Sequence, residues 1–152
     1  MKKTFDEEIM RLALGEAELA FTEGEIPVGA VIVKDGLIIS KAHNLCQNET
    51  DATAHAELLA ISKACRAVGN WRLSGCTLYV TMEPCPMCMG AIVNSRIDRV
   101  VYGVKDARAG ACHSLLSLQN YPLEASPECE GGVLEEECVS LLRSFFAKKR
   151  KK

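Results

Sequence analysis

The sequence lacks any long apolar run. No stretch of the 152-residue chain approaches the roughly 18 consecutive apolar residues that span a bilayer. The chain begins MKKTFDEE, which turns acidic where a signal peptide would turn apolar. We therefore expect a soluble, cytoplasmic protein with no membrane partner.

The sequence also lacks a linker-like stretch and an internal repeat. With 48% hydrophobic residues, a chain of this length can bury most of its surface around one core. We predict a single domain over residues 1–147, followed by a basic C-terminal tail over residues 148–152.

The charge is nearly balanced but unevenly distributed. The chain has 18 Lys and Arg against 20 Asp and Glu, and the last five residues, KKRKK, are all basic. The remainder is therefore distinctly acidic, which argues against indiscriminate nucleic-acid binding. The basic end can contact phosphates or can be a frayed, solvated terminus, and both interpretations stay open.

Eight cysteines are present, and without a signal peptide they are better interpreted as reduced thiols or metal ligands than as disulfides. Six of them have no ligand-like spacing, and we expect these to pack as small hydrophobic side chains. The six are Cys46, Cys65, Cys76, Cys112, Cys129 and Cys138.

The hydrophobic periodicity predicts alternating helices and strands. A capping box at residues 4–7 indicates the start of the first helix, and Asp51 or Thr53 is a candidate cap of the second. The dipeptide Asp35-Gly36 predicts a tight turn that joins the first two strands into an antiparallel hairpin. The predicted order is helix 4–23, strands 28–33 and 37–39, helix 51–68, strand 77–81, helix 86–93, strands 99–104 and 128–130, and helix 134–147. Strands 77–81 and 99–104 should be parallel because a helix connects them.

Cys85 and Cys88 lie three residues apart in the stretch EPCPMC. If Cys85 opens a helix, both sulfurs project from one side of its first turn, and the helix N-terminus favours thiolates. Pro86 suits the first helical position. Two thiolates leave a tetrahedral zinc short of two ligands, and no second Cys-x-x-Cys pair completes a structural site.

His55 is the natural third ligand, because His43 and His113 lie in loop-like sequence without a neighbouring acid. A lone histidine near a helix start is also a common surface or capping residue. Glu57 is two residues further on, nearly opposite His55 on a regular helix, so both reach one site only at the helix start. An imidazole, two thiolates and a free carboxylate indicate a zinc with an open position and a proton shuttle beside it, which suits hydrolysis.

The pattern H-x-E followed by P-C-x-x-C resembles the zinc-dependent nucleobase deaminases. Within them, the chain is most similar to the bacterial tRNA adenosine deaminases, which convert the wobble adenosine of an anticodon to inosine. Two positions depart from the family pattern, with Met82 where Leu is usual and Met89 where a small residue is usual. The resemblance covers residues 26–32, Asn44, 53–57, 77–88, 99–103, Asp106, Gly110 and the pair Phe145-Phe146.

This resemblance implies a three-layer α/β/α cytidine-deaminase-like fold, with a mixed five-stranded sheet and helices on both faces. It also implies a homodimer that holds one zinc ion per subunit and acts on a tRNA anticodon stem-loop, with residues 105–108 bordering the loop. The implied zinc ligands are His55, Cys85 and Cys88, the implied proton shuttle is Glu57, and the implied substrate contacts are Asn44, Val28, Pro84 and Asp106.

Two other functions remain open from the sequence. A deaminase of a free base or nucleoside, of guanine or cytosine type, shares the same zinc motif, and the overall acidity favours it, whereas the basic end and residues 105–108 favour RNA. A non-catalytic, zinc-stabilised subunit would not need Glu57 and would need a fourth protein ligand. Asn44 can also satisfy the backbone of its own loop instead of contacting a base.

Overall fold

The computed structural model describes residues 2–150, so Lys151 and Lys152 of the predicted tail lie outside the described residues. Residues 148–150 of that tail continue the last helix. The elements are α1 Lys2–Thr22, β1 Gly29–Lys34, β2 Leu37–His43, α2 Ala56–Val68, β3 Cys76–Met82, α3 Pro86–Asn94, β4 Arg99–Val104, a 3-10 turn Leu118–Asn120, β5 Glu128–Glu130 and α4 Glu135–Arg150.

The predicted antiparallel hairpin of β1 and β2 is confirmed. Asp35 and Gly36 both have positive φ, 51° and 77°, as a two-residue hairpin turn requires. β2 extends beyond its predicted end to His43, so that residue lies on a strand and not in a loop. The residues that follow β2 are thereby brought beside the N-terminal end of β1, where Asn44 N donates to Val28 O.

The sheet has the order β2-β1-β3-β4-β5, which confirms the predicted mixed five-stranded sheet. β1 pairs with β3 antiparallel, whereas β3 with β4 and β4 with β5 pair parallel. Because β3 and β4 are parallel, the segments that follow them leave the sheet on the same side, at the C-terminal ends of the two strands. Those segments begin at Glu83 and Lys105.

Helices cover both faces of the sheet, which confirms the three-layer arrangement. On one face α2 and α3 pack on Ile32, Leu78, Val80 and Val100. On the other face Ile9, Met10 and Ala13 of α1 pack on Val31, Tyr79 and Val101. The helix α4 joins α1 on this second face, where the rings of Phe21 and Phe145 meet edge to face at 5.6 Å.

The predicted capping box of α1 is wrong, because this helix already begins at Lys2 and includes Thr4. Asp6 lies inside the helix with 1% of its surface exposed. Its carboxylate accepts hydrogen bonds from Tyr79 Oη at 2.7 Å and from both terminal nitrogens of Arg99 at 3.0 and 2.7 Å. This cluster attaches α1 to β3 and β4. Within residues 2–150, no helix is both long and apolar enough to cross a membrane.

Candidate metal and catalytic centre

The helix α2 begins at Ala56, so His55 occupies its N-cap position with extended backbone angles. The expected caps are wrong: Asp51 Oδ1 instead accepts hydrogen bonds from Thr53 N and Oγ1 at 2.8 and 2.7 Å. The acceptor for the helix start comes from Asn44, whose Oδ1 lies 2.8 Å from Ala56 N. The imidazole of His55 is therefore free of any capping role.

The helix α3 begins in the same way. Cys85 is its N-cap residue, Pro86 follows at the first helical position, and Cys88 is buried in the first turn. This agrees with the prediction that Cys85 opens a helix and that Pro86 is tolerated there. Both sulfurs therefore lie at the N-terminal end of α3.

The three predicted ligands meet. His55 Nδ1 lies 3.8 Å from Cys85 Sγ and 3.5 Å from Cys88 Sγ. A tetrahedral zinc with bonds of about 2.1 Å to nitrogen and about 2.3 Å to sulfur separates such ligand atoms by about 3.6 Å. The donor set and its spacing thus fit zinc. Within residues 2–150 no other group of His, Cys, Asp or Glu side chains converges in this way, and no fourth protein ligand joins this one.

The two cysteine thiols differ in pKa. The hydrogen bond from Cys88, opposed by burial and assisted by His55, lowers the pKa of Cys85 to about 4. The same pairing raises the pKa of Cys88. Cys85 is therefore the first thiolate of the pair, and a cation at this position would deprotonate the second.

Glu57 is the second residue of α2, and its side chain is 4% exposed. It lines the same cavity as His55 and Cys85. Burial raises the pKa of Glu57 to about 7, although its own backbone N–H and His55 partly counteract this. A carboxyl group with such a pKa can both accept and donate a proton near neutral pH.

Two other buried carboxylates, Glu25 and Glu83, line this cavity and were not identified from the sequence. Glu25 accepts hydrogen bonds from Gln47 N at 3.0 Å, Asn48 N at 2.7 Å and Asn48 Nδ2 at 2.6 Å. Burial would raise the pKa of Glu83, but hydrogen bonds from the loop after β4 lower it to about 2. Both carboxylates thus accept several hydrogen bonds from backbone N–H groups.

The cavity has a volume of about 290 Å³ and lies at the edge where β3 and β4 end. Three of the predicted substrate contacts, Val28, Asn44 and Asp106, line it. Pro84 is not among its lining residues, and its carbonyl accepts a hydrogen bond from Ala111 N at 2.8 Å. The structure therefore brings Val28, Asn44 and Asp106 to the cavity, whereas Pro84 does not line it.

Asn44 lines the cavity while it is bonded to backbone at both ends of its amide. Besides accepting from Ala56 N, it donates from Nδ2 to Ile26 O at 3.2 Å. One N–H and one lone pair of the amide remain for a ligand. Asn44 thus holds the start of α2 and still presents hydrogen-bonding groups to the cavity.

The helix α4 also contributes to the cavity, through Leu142, Phe146 and Lys149. Phe146 is 43% exposed, whereas its neighbour Phe145 is 4% exposed and packs in the core. Adjacent residues on a helix point about 100° apart, so the two rings point in different directions, and here only Phe145 points into the core. The spacing alone does not say which of the two rings faces the site, so this pattern could not have assigned Phe146 to it.

Comparisons with known proteins agree with this geometry. Residues 3–104 match the family described as the cytidine and deoxycytidylate deaminase zinc-binding region. The tRNA-specific adenosine deaminase of Bacillus subtilis (strain 168) is 50% identical over 150 residues, which cover 98% of this chain and 93% of that protein.

Two solved structures bear on the site. A structure from a study of A-to-I editing by tRNA:A34 deaminases at the wobble position of transfer RNA superposes with a TM-score of 0.84 and is 42% identical, covering 87% of this chain and 96% of that one. The guanine deaminase of Bacillus subtilis has a TM-score of 0.62 and 44% identity, covering 65% of this chain and 64% of that one.

Proposed function

The chain belongs to the cytidine and deoxycytidylate deaminase family, and we propose that it deaminates adenosine to inosine at the wobble position of tRNA anticodons. It is then a hydrolase that breaks the C–N bond of a cyclic amidine. The observation that carries the chemistry is the buried carboxyl group of Glu57, which lies beside three convergent zinc ligands and is not one of them. The substrate is proposed from the near full-length similarity to a tRNA-specific adenosine deaminase.

In this proposal His55, Cys85 and Cys88 hold the zinc ion. Bound zinc supplies a water acidic enough to act as a nucleophile near neutral pH. Glu57 accepts one proton from the attacking water and delivers it to N1 of adenine. It then accepts the second proton from the hydroxyl group formed at C6 and delivers it to the departing amine. One water is consumed, the bond between C6 and the exocyclic nitrogen breaks, and ammonia leaves.

The cavity walls suit a base that has left its stack. Val28 offers an apolar surface, and Asn44 keeps one N–H and one lone pair for the edge of the base. Phe146 and Lys149 at the rim provide an aromatic ring and a cation, groups that contact neighbouring bases and phosphates in single-stranded RNA. An anticodon loop already presents its bases unpaired, which lowers the cost of flipping.

A deaminase of a free base is the second candidate, because a guanine deaminase structure is 44% identical over 65% of this chain. The two are separated by incubating purified protein with total tRNA and, in parallel, with free adenosine, guanine and cytosine. Nucleoside analysis should show inosine in tRNA and no loss of the free compounds. Consumption of guanine or cytosine with no inosine in tRNA would reverse the assignment.

We further propose that the protein is a cytoplasmic homodimer. Met87 in the first turn of α3 is 38% exposed, and Leu115 in the loop after β4 is 57% exposed. Both belong to the segments that follow β3 and β4, and we propose that these apolar side chains contribute to the dimer interface. Light scattering after gel filtration should give twice the chain mass of 16.6 kDa. A monomeric mass at micromolar concentration would contradict the dimer.

A further inference from the structure

The carboxylate of Glu83 stands where β3 ends and the Cys85 turn begins. It is 3% exposed and accepts five hydrogen bonds from one loop. Its Oε1 accepts from Asp106 N at 3.0 Å and Ser114 Oγ at 2.5 Å. Its Oε2 accepts from Cys112 N at 3.0 Å, His113 N at 2.8 Å and Ser114 N at 3.0 Å.

These bonds give the loop over residues 105–114 its shape. The loop contains no helix or strand, so its backbone N–H groups need acceptors from elsewhere. At one end of the loop, Asp106 N donates a hydrogen bond to Glu83. At the other end, the N–H groups of residues 112–114 donate to the same carboxylate. Between them the loop folds back over a single buried charge.

Gly110 shows how closely the loop approaches this charge. A Cβ atom added at Gly110 would collide with the carboxyl carbon and both carboxyl oxygens of Glu83. The φ angle of Gly110 is not positive, so its need for glycine comes from this contact and not from backbone conformation.

The loop connects the centre to the surface. Asp106 lines the cavity, and Asp106 Oδ1 accepts hydrogen bonds from Arg108 N and Ala109 N at 3.0 and 3.2 Å. At the other side, Glu83 is separated from the ligand Cys85 by one residue. A shift of the loop would therefore move the cavity rim without moving the metal ligands themselves.

We propose that Glu83 is a positioning residue that holds residues 105–114 in the conformation that receives the RNA strand beside the reacting base. This inference rests on the proposed function. Glu83 does not belong to the metal-ligand group, and its oxygens are occupied by loop donors, so its role is to shape the binding surface.

The substitution Glu83→Gln tests this role. The amide keeps most bonds when its oxygen faces the N–H groups of Cys112, His113 and Ser114. Its NH2 group then faces Asp106 N, so at least that bond is lost, whereas the Ser114 hydroxyl can rotate to accept. Amide hydrogen exchange at Asp106, whose N–H group then faces the NH2 group, should accelerate by about tenfold or more. The KM for an anticodon stem-loop should rise by about tenfold, while kcat changes by less than about threefold and zinc stays at about one per chain.

Three further variants separate positioning from general stability. Gly110→Ala should reproduce the exchange and KM changes of Glu83→Gln, whereas Glu83→Asp, which keeps the charge, should restore part of the affinity. Asp6→Asn removes another buried, hydrogen-bonded carboxylate on the far face of the sheet. It should lower Tm but leave loop exchange and KM unchanged.

A wild-type KM in Glu83→Gln, or unchanged exchange at both Asp106 and residues 112–114, would overturn the inference, as would a fall in activity that follows zinc loss. If the wild-type protein forms no inosine in tRNA, the proposed function fails by itself. The exchange measurement needs no substrate and still decides whether Glu83 holds the loop.

Discussion

At the residue scale, the centre is distinguished by how its three buried carboxylates are bonded. Glu25 and Glu83 each accept several backbone N–H bonds, and hydrogen bonds hold the pKa of both below the usual range in spite of burial. Glu57 is equally buried, but its pKa is raised to about 7 by desolvation. The same residue type therefore occurs at this centre as two carboxylates held by backbone N–H groups and as one carboxyl group that we propose carries the proton.

Glu57→Gln keeps the size of the side chain and removes its acid–base chemistry. We expect kcat for inosine formation to fall by about 10²- to 10⁴-fold, the usual contribution of a general acid–base group. Zinc content should stay near one per chain, because Glu57 is not among the ligands. Metal analysis and single-turnover kinetics check this, and full activity in the variant would exclude Glu57 as the shuttle.

His55→Ala should remove metal and activity together. Two thiolates alone leave the ion without its nitrogen ligand, so zinc measured by atomic absorption should fall well below one per chain. Cys65→Ser is the control, since Cys65 lies outside the ligand group and its sulfur only donates to Trp71 O. Normal zinc binding in His55→Ala would contradict the assigned ligand set.

The sequence predicted those site residues that belong to short local motifs. The spacing of Cys85 and Cys88, and of His55 and Glu57, implied two helix starts, and both are found. Pro84, also predicted as a substrate contact, stays a prediction. The loop-holding role of Glu83 was not predictable, because its five donors lie 23 to 31 residues away and form no local pattern.

At the scale of elements, the centre is built from two helix N-termini. The N-cap positions of α2 and α3 are occupied by His55 and Cys85, and neither side chain caps its own helix. Unpaired N–H groups at both starts favour thiolate and carboxylate charge in the cavity. Using the cap position for a ligand explains why the acceptor for α2 must come from Asn44, twelve residues earlier.

Asn44→Ala removes the acceptor of Ala56 N. Loss of a helix cap costs about 0.5–2 kcal/mol, so we expect the free energy of unfolding to fall within that range and zinc affinity to weaken as His55 loses its anchor. Thr53→Ala is the matched control. Thr53 is one of the two candidate caps, with Asp51, yet its hydroxyl only donates to Asp51, so its loss should cost less than about 0.5 kcal/mol. Equal costs from urea unfolding would contradict the assignment of the cap.

At the scale of the whole molecule, the sheet order decides where the centre lies. Because β3 and β4 are parallel, the turn that carries Cys85 and the loop after β4 both lie at the C-terminal ends of these strands. The helix connecting the two strands made this pairing predictable. The cover of the cavity by α4 was not predictable, because it depends on how α4 packs beside α1 after a long irregular segment.

The cluster of Asp6, Tyr79 and Arg99, on the face of the sheet covered by α1, should contribute to the stability of the whole protein. Breaking a buried charge pair costs roughly 3 kcal/mol, so Asp6→Asn should lower the free energy of unfolding by about that amount at pH 7. Burial opposes but hydrogen bonds from Arg99 and Tyr79 prevail, so the pKa of folded Asp6 lies below its ordinary 3.8. Stability from this group is therefore complete above pH 3.8 and is lost as the pH falls towards the folded pKa. Urea titrations between pH 7 and 3 should show a weaker acid dependence in Asp6→Asn, and parallel curves would contradict this.

The central claim is that this centre deaminates the first anticodon base of a tRNA. The most direct test is to incubate the zinc-loaded protein with an anticodon stem-loop that carries adenosine at the wobble position, and to analyse its nucleosides. We predict that one adenosine per stem-loop becomes inosine with release of one ammonia, and that a stem-loop with guanosine at that position does not react. An unmodified adenosine under conditions in which free guanine or cytosine is consumed would contradict the claim.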